Sequence, residues 1–447
     1  MASADRAIRR DTIAAIASPP GRGGIGVVRV SGPAVVSIAH AVLGRLPLPR
    51  QATFSLFRDK SGDAIDRGIA LYFPAPASYT GEDVLELQGH GGPVVLGDLL
   101  GACIDAGSRL ADPGEFTRRA FLEGKLDLAQ AEAVADLIAA DTRNAARGAM
   151  RSLSGEFSQA LRMLVGQLTE LRALTEAMLD FPEEDVDAIY EQDATERLSG
   201  IAASLGSVLA RSRQGSLLRS GIQVVLAGRP NVGKSSLFNR LAGEERAIVT
   251  AVPGTTRDAL RERIQIDGVP ATVIDTAGLH ESKDEIEMTG MARTRQELAH
   301  ADIVVEVFDA AILVKDEASL PEAGADATRL RVYNKADLVP EIRKRPVSDS
   351  LWVSARTGEG IAELRKAILL AAGWRDSSET VFVARERHLR ALARAASHLE
   401  VATRLAKQWE FFAEELRLAQ QALGAITGEV SADDLLGEIF SRFCIGK

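Results

Sequence analysis

The residues best suited to chemistry begin at Gly228-Arg229-Pro230-Asn231-Val232-Gly233-Lys234-Ser235, set between an apolar run at 224–227 and helix formers at 236–241. Strand, glycine-punctuated turn and helix, in that order, turn backbone N–H groups onto an anion, and the helix N-terminus adds its dipole. Such a loop suits a triphosphate. Its expected contact set is Asn231, Val232, Gly233, Lys234, Ser235 and Ser236. Lys234 would act as a point charge on the outer phosphates, and Ser235 would offer its hydroxyl to Mg²⁺.

Three further stretches extend the pattern. The segment 271–274 reads as a strand delivering Asp275-Thr276-Ala277-Gly278. An aspartate there can hold Mg²⁺ through water, and the glycine lets a backbone amide reach the terminal phosphate. The segment 330–333 delivers Asn334-Lys335-Ala336-Asp337. The Asp337 carboxylate can accept two hydrogen bonds from a guanine edge, which adenine does not supply, and a site built on such bonds rejects the analogue lacking them by large factors. The segment 351–353 delivers Ser354-Ala355-Arg356, where a backbone N–H can meet the guanine carbonyl. These motifs, each at a strand end, predict a guanine-nucleotide domain.

Hydrolysis needs an oriented water and a counter-charge. Many small GTPases carry glutamine directly after Asp-x-x-Gly, but here that position is Leu279, whose apolar side chain orients no water. Either hydrolysis is slow without a partner, or charge is stabilised from elsewhere. Asn231 offers a side-chain oxygen, and Thr250-Ala251-Val252-Pro253-Gly254-Thr255-Thr256-Arg257-Asp258 can fold back to place carbonyls around a monovalent cation. A cation bridging phosphates neutralises charge in the transition state. Thr256 is the expected second hydroxyl on Mg²⁺. Arg257 is either an internal finger or an ion-pair partner of Asp258. Of Asp284, Glu285 and Glu287, one could position water, although spacing alone favours solvated loop charge.

These motifs require a sheet to hold them, and the chain is long enough for two or three domains. It has 447 residues, 46% hydrophobic and 26% charged, the balance of ordinary globular protein. No stretch approaches the ~20 apolar residues of a membrane span. Residues 1–6 show no secretory pattern. Cys103 and Cys444, the only cysteines, indicate neither a disulfide framework nor a zinc quartet, so a reducing cytoplasm is expected. The formal charge of −9 argues against broad coating of nucleic acid while leaving room for a local RNA site.

Residues 1–120 read as mixed α/β, with strands at 12–17, 25–30, 68–73 and 83–87 and helices at 33–43 and 93–106. Gly21, Gly23 and Gly26 satisfy G-x-G-x-x-G, but β-branched residues follow where the dinucleotide fingerprint needs a helix, so that reading is rejected. From Leu126 to Leu218 the texture is Ala/Leu-rich and helical, broken near Phe181-Pro182, and it resumes from Val383. No strict heptad persists, which favours a bundle. Each flank is amphipathic and needs a partner. The expected architecture is a helical domain in two parts, 121–218 and 376–447, with the nucleotide domain, 219–375, inserted between them; two unrelated helical domains are the alternative. Arg385, Arg387, Arg390, Arg394, Arg404 and Lys407 are expected on a solvated helix face, partly balanced by Glu386 and Glu400, with an RNA-contacting face as the lesser alternative. Residues 311–329 read as a surface excursion.

The remaining motifs are Pro19-Pro20-Gly21-Arg22-Gly23-Gly24-Ile25-Gly26, the stretch 79–92 from Tyr79-Thr80-Gly81-Glu82 to Gly89-His90-Gly91-Gly92, Pro113-Gly114-Glu115-Phe116-Thr117, Lys125-Leu126-Asp127-Leu128-Ala129-Gln130 and the final Cys444-Ile445-Gly446-Lys447. With the guanine motifs they closely resemble the MnmE (TrmE) family of tRNA-modification GTPases over essentially the whole chain. The resemblance implies a multi-domain α/β plus α fold: an N-terminal domain similar to tetrahydrofolate-binding domains, a discontinuous helical bundle, and an inserted Ras-like P-loop GTPase domain. It implies a homodimer through the N-terminal domains and a heterotetramer with the flavoprotein MnmG. Together these modify C5 of the wobble uridine in certain tRNAs, with a one-carbon unit from 5-formyltetrahydrofolate or another tetrahydrofolate. GTP hydrolysis to GDP would depend on K⁺ and on the meeting of two G domains. By motif, Asn231, Thr250, Val252 and Thr255 would surround K⁺, and Ser235 and Thr256 would ligate Mg²⁺. Glu287 matches the family's water-positioning acid, against the bland reading from spacing. Arg29, Glu86 and Lys125 match its folate contacts, joined by Lys447.

Cys444 stands open between an inert thiol and a catalytic or substrate-near one carried on a mobile tail. Its position also mimics a prenylation signal, which a final lysine fits poorly. The catalytic set expected is thus Lys234, Glu287 and Cys444. The rival reading is a regulatory GTPase switch in ribosome assembly, which shares the guanine motifs and does no covalent chemistry.

Overall fold

The computed structural model describes residues 11–180, 187–244, 261–275, 297–312, 327–339, 350–375, 381–405, 408–429, 433–441, 443, 444 and 446. Packing divides the chain into two compact units, Met1–Ala135 with Gly424–Lys447, and Asp136–Leu423. Sequence texture changes near 120 and 376, so texture and packing do not divide the chain at the same places.

The first unit opens with β1 (Ile13–Ile16) and β2 (Gly23–Ser31), then α1 (Val35–Leu43), β3 (Thr53–Arg58), β4 (Ala64–Phe73), β5 (Val84–Gly91), α2 (Pro93–Asp105) and β6 (Arg109–Leu110). Among the described residues the strands form one sheet, ordered β3-β4-β5-β2-β1-β6. All neighbours are antiparallel except β1 and β6. Alternating apolar residues, Val28 and Val30 on β2 and Leu85 and Leu87 on β5, bury one face against Ile38 of α1 and Leu99 of α2. The glycine cluster at 21–26 leads into β2, as its β-branched sequel requires. Gly26 is there for closeness: a Cβ would lie 2.5 Å from Leu96 Cδ1. Next come α3 (Glu115–Leu122) and α4 (Leu128–Ile138).

The second unit begins within α4 and continues through α5 (Arg143–Leu153), α6 (Glu156–Asp180) and α7 (Asp187–Ser220). Thr142 caps α5, its hydroxyl accepting the Ala145 N–H at 3.2 Å. There follow β7 (Ile222–Ala227), α8 (Lys234–Glu244), β8 (Arg261–Ile266), β9 (Val269–Asp275), β10 (Ile303–Asp309), β11 (Thr328–Asn334), β12 (Ser350–Trp352) and α9 (Ile361–Ala371). The strands form a second sheet, ordered β12-β11-β10-β7-β9-β8, parallel except for the β8–β9 pair. Parallel β7, β9, β11 and β12 therefore end at the same edge, where a doubly wound sheet places ligands. β11 starts at Thr328, so the end of the expected excursion at 311–329 is strand, and 313–326 lie outside the described residues.

Helix α10 (Glu386–Arg404) and α11 (Trp409–Thr427) as far as Leu423 complete this unit. Side chains that precede and follow the second sheet in sequence meet: Phe382 stacks on Phe157 at 4.7 Å, and Arg211 lies over the Phe382 ring at 4.5 Å. Gly215 on α7 makes room for that approach, since a Cβ would lie 1.8 Å from the Phe382 carbonyl oxygen. Arg385 departs from the expected solvated face: its guanidinium is 14% exposed and pairs with Asp136 at 2.9 Å, a carboxylate shared with Arg219. Arg390 and Arg404 do pair with Glu386 and Glu400. Lys407 lies outside the described residues.

The chain finishes with α12 (Asp433–Ser441) in the first unit. Leu436, Ile439, Phe440 and Phe443 bury against Leu128, Ala131 and Phe121. Gly114 turns there with φ 68°, and a Cβ on it would meet the Phe440 carbonyl oxygen at 2.8 Å. No described helix is long and apolar enough to cross a membrane.

Candidate functional site

β7 is buried along Val224–Ala227 and hands the chain to the glycine loop at the sheet edge. A Cβ at Gly233 would lie 2.3 Å from Asn334 Nδ2, and one at Gly228 2.4 Å from the Val307 carbonyl oxygen, so the loop can close only with glycine at both. Asn231 takes a left-handed φ of 65°, which asparagine tolerates better than most residues. Lys234, 5% exposed, donates to the carbonyl oxygens of Gly228 at 2.8 Å and Arg229 at 2.9 Å. Burial lowers its pKa, and the Asp275 charge opposes that shift. The Ser235 hydroxyl donates to Asp275 Oδ2 at 2.7 Å, joining the loop to the end of β9. Val232 is buried beneath the loop, and Ser236 is exposed.

Asn334, 2% exposed, ties three motifs together. Its amide donates to the carbonyl oxygens of Val232 at 3.0 Å and Gly233 at 3.4 Å, and its Oδ1 accepts the Ala355 N–H at 3.1 Å. That last bond differs from expectation, which gave a backbone N–H of 354–356 to a guanine carbonyl: the Ala355 N–H is directed at Asn334. Lys335 donates to the Asn231 carbonyl oxygen at 2.9 Å and pairs with Asp309 at 2.6 Å. Asp309 was missed from the sequence because β10, which it ends, carries no motif. On Asp337, Oδ1 accepts from the Ser354 hydroxyl at 2.6 Å and Oδ2 pairs with Arg356 at 2.9 Å. The Ser354 hydrogen bond, with the Arg356 charge, outweighs desolvation and holds this carboxyl below its ordinary range. Arg356 itself is 79% exposed.

Thr250, Ala251, Val252, Pro253, Gly254, Thr255, Thr256, Thr276, Ala277, Gly278, Glu287 and Lys447 lie outside the described residues, as do Arg257, Asp258, Leu279, Asp284 and Glu285. Among the described residues no cluster of three His, Cys, Asp or Glu side chains is arranged to hold a metal. Ser235 and Asp275 nonetheless offer the converging oxygens a hard cation takes.

In the first unit, Arg29 on β2 and Glu86 on β5 are cross-strand neighbours paired at 2.9 Å. The Arg29 guanidinium lies 5.4 Å from the Tyr79 ring and 5.8 Å from the Phe116 ring. The Tyr79 and Thr117 hydroxyls are 2.9 Å apart. The aromatic pair was not foreseen as a flank for Arg29, although both residues lie in glycine-punctuated stretches that invited attention. Lys125 is exposed, and its Cε comes within 3.4 Å of a Cβ built on Gly81. Cys444 is exposed, and its carbonyl oxygen accepts the Gly114 N–H at 3.4 Å. Cys103, by contrast, is a core thiol, pushed by burial up to about 12.

Comparison with known proteins matches family profiles along most of the chain. The profile described as the MnmE helical domain matches residues 128–444, and that described as the GTP-binding protein TrmE N-terminus matches 12–125. The chain is 58% identical over 440 residues to the tRNA modification GTPase MnmE of Thiobacillus denitrificans, covering 98% of each. It is likewise 58% identical over 443 residues to that of an Azoarcus species, again covering 98% of each. The solved G domain of the T. maritima FeoB iron transporter is 28% identical, with a TM-score of 0.25, over 34% of this chain and 98% of that one. With family profiles and full-length relatives in agreement, the chain belongs to the MnmE family, whose curated relatives carry the name tRNA modification GTPase.

Proposed function

We propose that this chain is a GTP hydrolase acting in tRNA modification, at C5 of the wobble uridine of certain tRNAs. The observation that carries the reading is the convergence of Lys234, the Ser235–Asp275 pair, Asn334 and Asp337 at one edge of a parallel sheet, in a member of this family. Lys234 and the loop amides hold the outer phosphates, and Asp337 accepts hydrogen bonds from the guanine edge. Ser235, with Asp275 behind it and Thr256, would hold Mg²⁺, while Asn231, Thr250, Val252 and Thr255 would surround K⁺; both ions neutralise charge on the phosphate oxygens. Glu287 orients the attacking water. The wider contact set, Ala251, Pro253, Gly254, Thr276, Ala277, Gly278, Ser354 and Arg356, borders the same nucleotide.

The first unit, on this reading, takes a tetrahydrofolate against Arg29, Glu86 and Lys125, with Lys447 and the Cys444 thiol nearby. Arg29 is pre-oriented for that work by its carboxylate partner and its two aromatic neighbours. A homodimer through this unit and a complex with the flavoprotein MnmG belong to the same proposal. In support of a covered face, Phe54 and Ile69 are cross-strand partners that stand 69% and 38% exposed. Two free thiols suit a cytoplasmic setting.

The test is GTP turnover in K⁺ against Na⁺, with and without the flavoprotein, beside nucleoside mass spectrometry of tRNA from cells lacking the chain. Faster turnover in K⁺ and loss of the modified wobble uridine are expected. Unchanged uridines, with no redundant pathway, would overturn the assignment to tRNA modification.

A further inference from the structure

Exposed arginines on several helices of the second unit carry a carboxylate one turn away: Arg197 with Asp193, Arg390 with Glu386, Arg404 with Glu400 and Arg417 with Glu414. That is the usual dress of a solvated helix. α5 departs from it. Its sequence, Arg-Asn-Ala-Ala-Arg-Gly-Ala-Met-Arg-Ser-Leu, holds three arginines and no acid. Arg143, Arg147 and Arg151 recur every fourth residue, opposite the buried Ala145, Gly148, Ala149 and Ser152.

Arg143 and Arg147 are exposed and have no ion-pair partner among the described residues, and the contact recorded for Arg151 is a bond to the Val381 carbonyl oxygen. The two acids that precede the helix in sequence are already engaged. Asp141 pairs with Arg263 at 3.4 Å, and Asp136 holds both Arg219 and Arg385. Arg143 also sits in the first turn of α5, where the helix dipole disfavours a cation. Local stability does not explain that choice.

We propose that this face of α5 binds the sugar–phosphate backbone of tRNA, an inference that rests on the tRNA reading above. A rise of about 1.5 Å per residue sets successive guanidiniums roughly 6 Å apart along the axis, a ladder suited to a run of phosphates. Each guanidinium can meet a phosphate through two parallel hydrogen bonds. The chain as a whole carries a net −9 and repels RNA, so a local positive strip fixes where the backbone lies. Contacts of this kind orient the RNA without reading its sequence.

The experiment uses the full chain, fluorescently labelled tRNA and a salt series read by anisotropy. The variants are the triple Arg143→Gln, Arg147→Gln, Arg151→Gln and its lysine counterpart. The glutamine triple should bind tRNA at least about tenfold more weakly at low salt, and its log K against log salt should flatten by about 2, at 0.7–0.9 per phosphate contact. The lysine triple should keep most of the slope. Basal GTP turnover should match the parent in both, and Arg143→Gln alone should melt no lower than the parent.

Parental affinity and slope in the glutamine triple would overturn the proposal while leaving the tRNA reading standing. A loss of affinity in the glutamine triple with the parental salt slope kept would overturn it too, because a phosphate contact gives up its salt dependence when the charge is removed. If the parent chain bound no tRNA, the surface would be discarded. Nucleoside analysis of cells lacking the chain would then decide separately whether the modification reading survives.

Discussion

Lys234 is a buried ammonium whose recorded hydrogen bonds are to two carbonyl oxygens of its own loop. Neutral carbonyls hold it less strongly than phosphate would, because phosphate adds the attraction of an opposite charge to the same hydrogen bonds. Lys234→Ala should therefore weaken GTP binding by roughly tenfold to a hundredfold, the range for a hydrogen bond to a charged group, as read by calorimetry with a non-hydrolysable analogue. Asp337 and Arg356 make a sharper contrast. They form an ion pair, yet Arg356 is mostly in water, where such pairs contribute little. Arg356→Ala should thus leave GTP affinity near the parent value. Asp337→Asn replaces an acceptor with a group that also donates, facing a base edge that donates, and should lower GTP affinity by about a hundredfold or more. Equal effects of the two substitutions would refute guanine recognition by Asp337.

At the scale of elements, the site depends on how strand ends are tied. Asn334 is expected from its motif to serve the nucleotide, but its described bonds run inward, to the glycine loop and to Ala355. Asn334→Ala should therefore loosen three segments at once, lowering GTP affinity and raising hydrogen exchange in 228–235 and 354–356 together; a change confined to β11 would argue against the tie. The strand ends at 275, 334 and 352 were legible because each motif follows an apolar run. β8, Arg-Glu-Arg-Ile-Gln-Ile, was not, since half its residues are charged and the antiparallel pairing with β9 supplies what its sequence lacks. The destination of α12 was equally hidden. An amphipathic helix announces that it needs a partner, but nothing in its periodicity says that Phe440 and Phe443 will find Phe121, Leu128 and Gly114 near the other end of the chain. Phe440→Ala should cost about 3–5 kcal/mol of local packing, seen as faster proteolysis within 433–441 and weaker protection of Leu128.

Over the whole molecule, the two units carry their charges differently, and acid should reveal it. In the first unit Arg119, 4% exposed, meets Asp11, Glu82 and Glu115, while Arg109 reaches Asp11 and Glu115. Burial alone would raise the carboxyl groups of Glu115 and Asp11. Hydrogen bonds and charge from Arg109 and Arg119 outweigh it, helped at Glu115 by the Asp112 N–H, and both pKa values end below their ordinary 4.5 and 3.8. A carboxyl depressed on folding contributes stability that is complete above its unfolded pKa and is lost as pH falls through the folded one. The urea midpoint of the first unit should therefore hold above about pH 5 and fall steadily below it. Glu115→Gln should flatten that fall, because the variant has no proton to take up at this position. Arg119→Ala should act differently, lowering stability at neutral pH by about 1–3 kcal/mol, since Glu115 and the partly exposed Asp11 and Glu82 lose a counter-charge that Arg109 replaces only in part. A parent whose first unit unfolds at the same urea concentration at pH 4 and pH 7 would show that the network is neutral in energy, with the unit held by its apolar core alone.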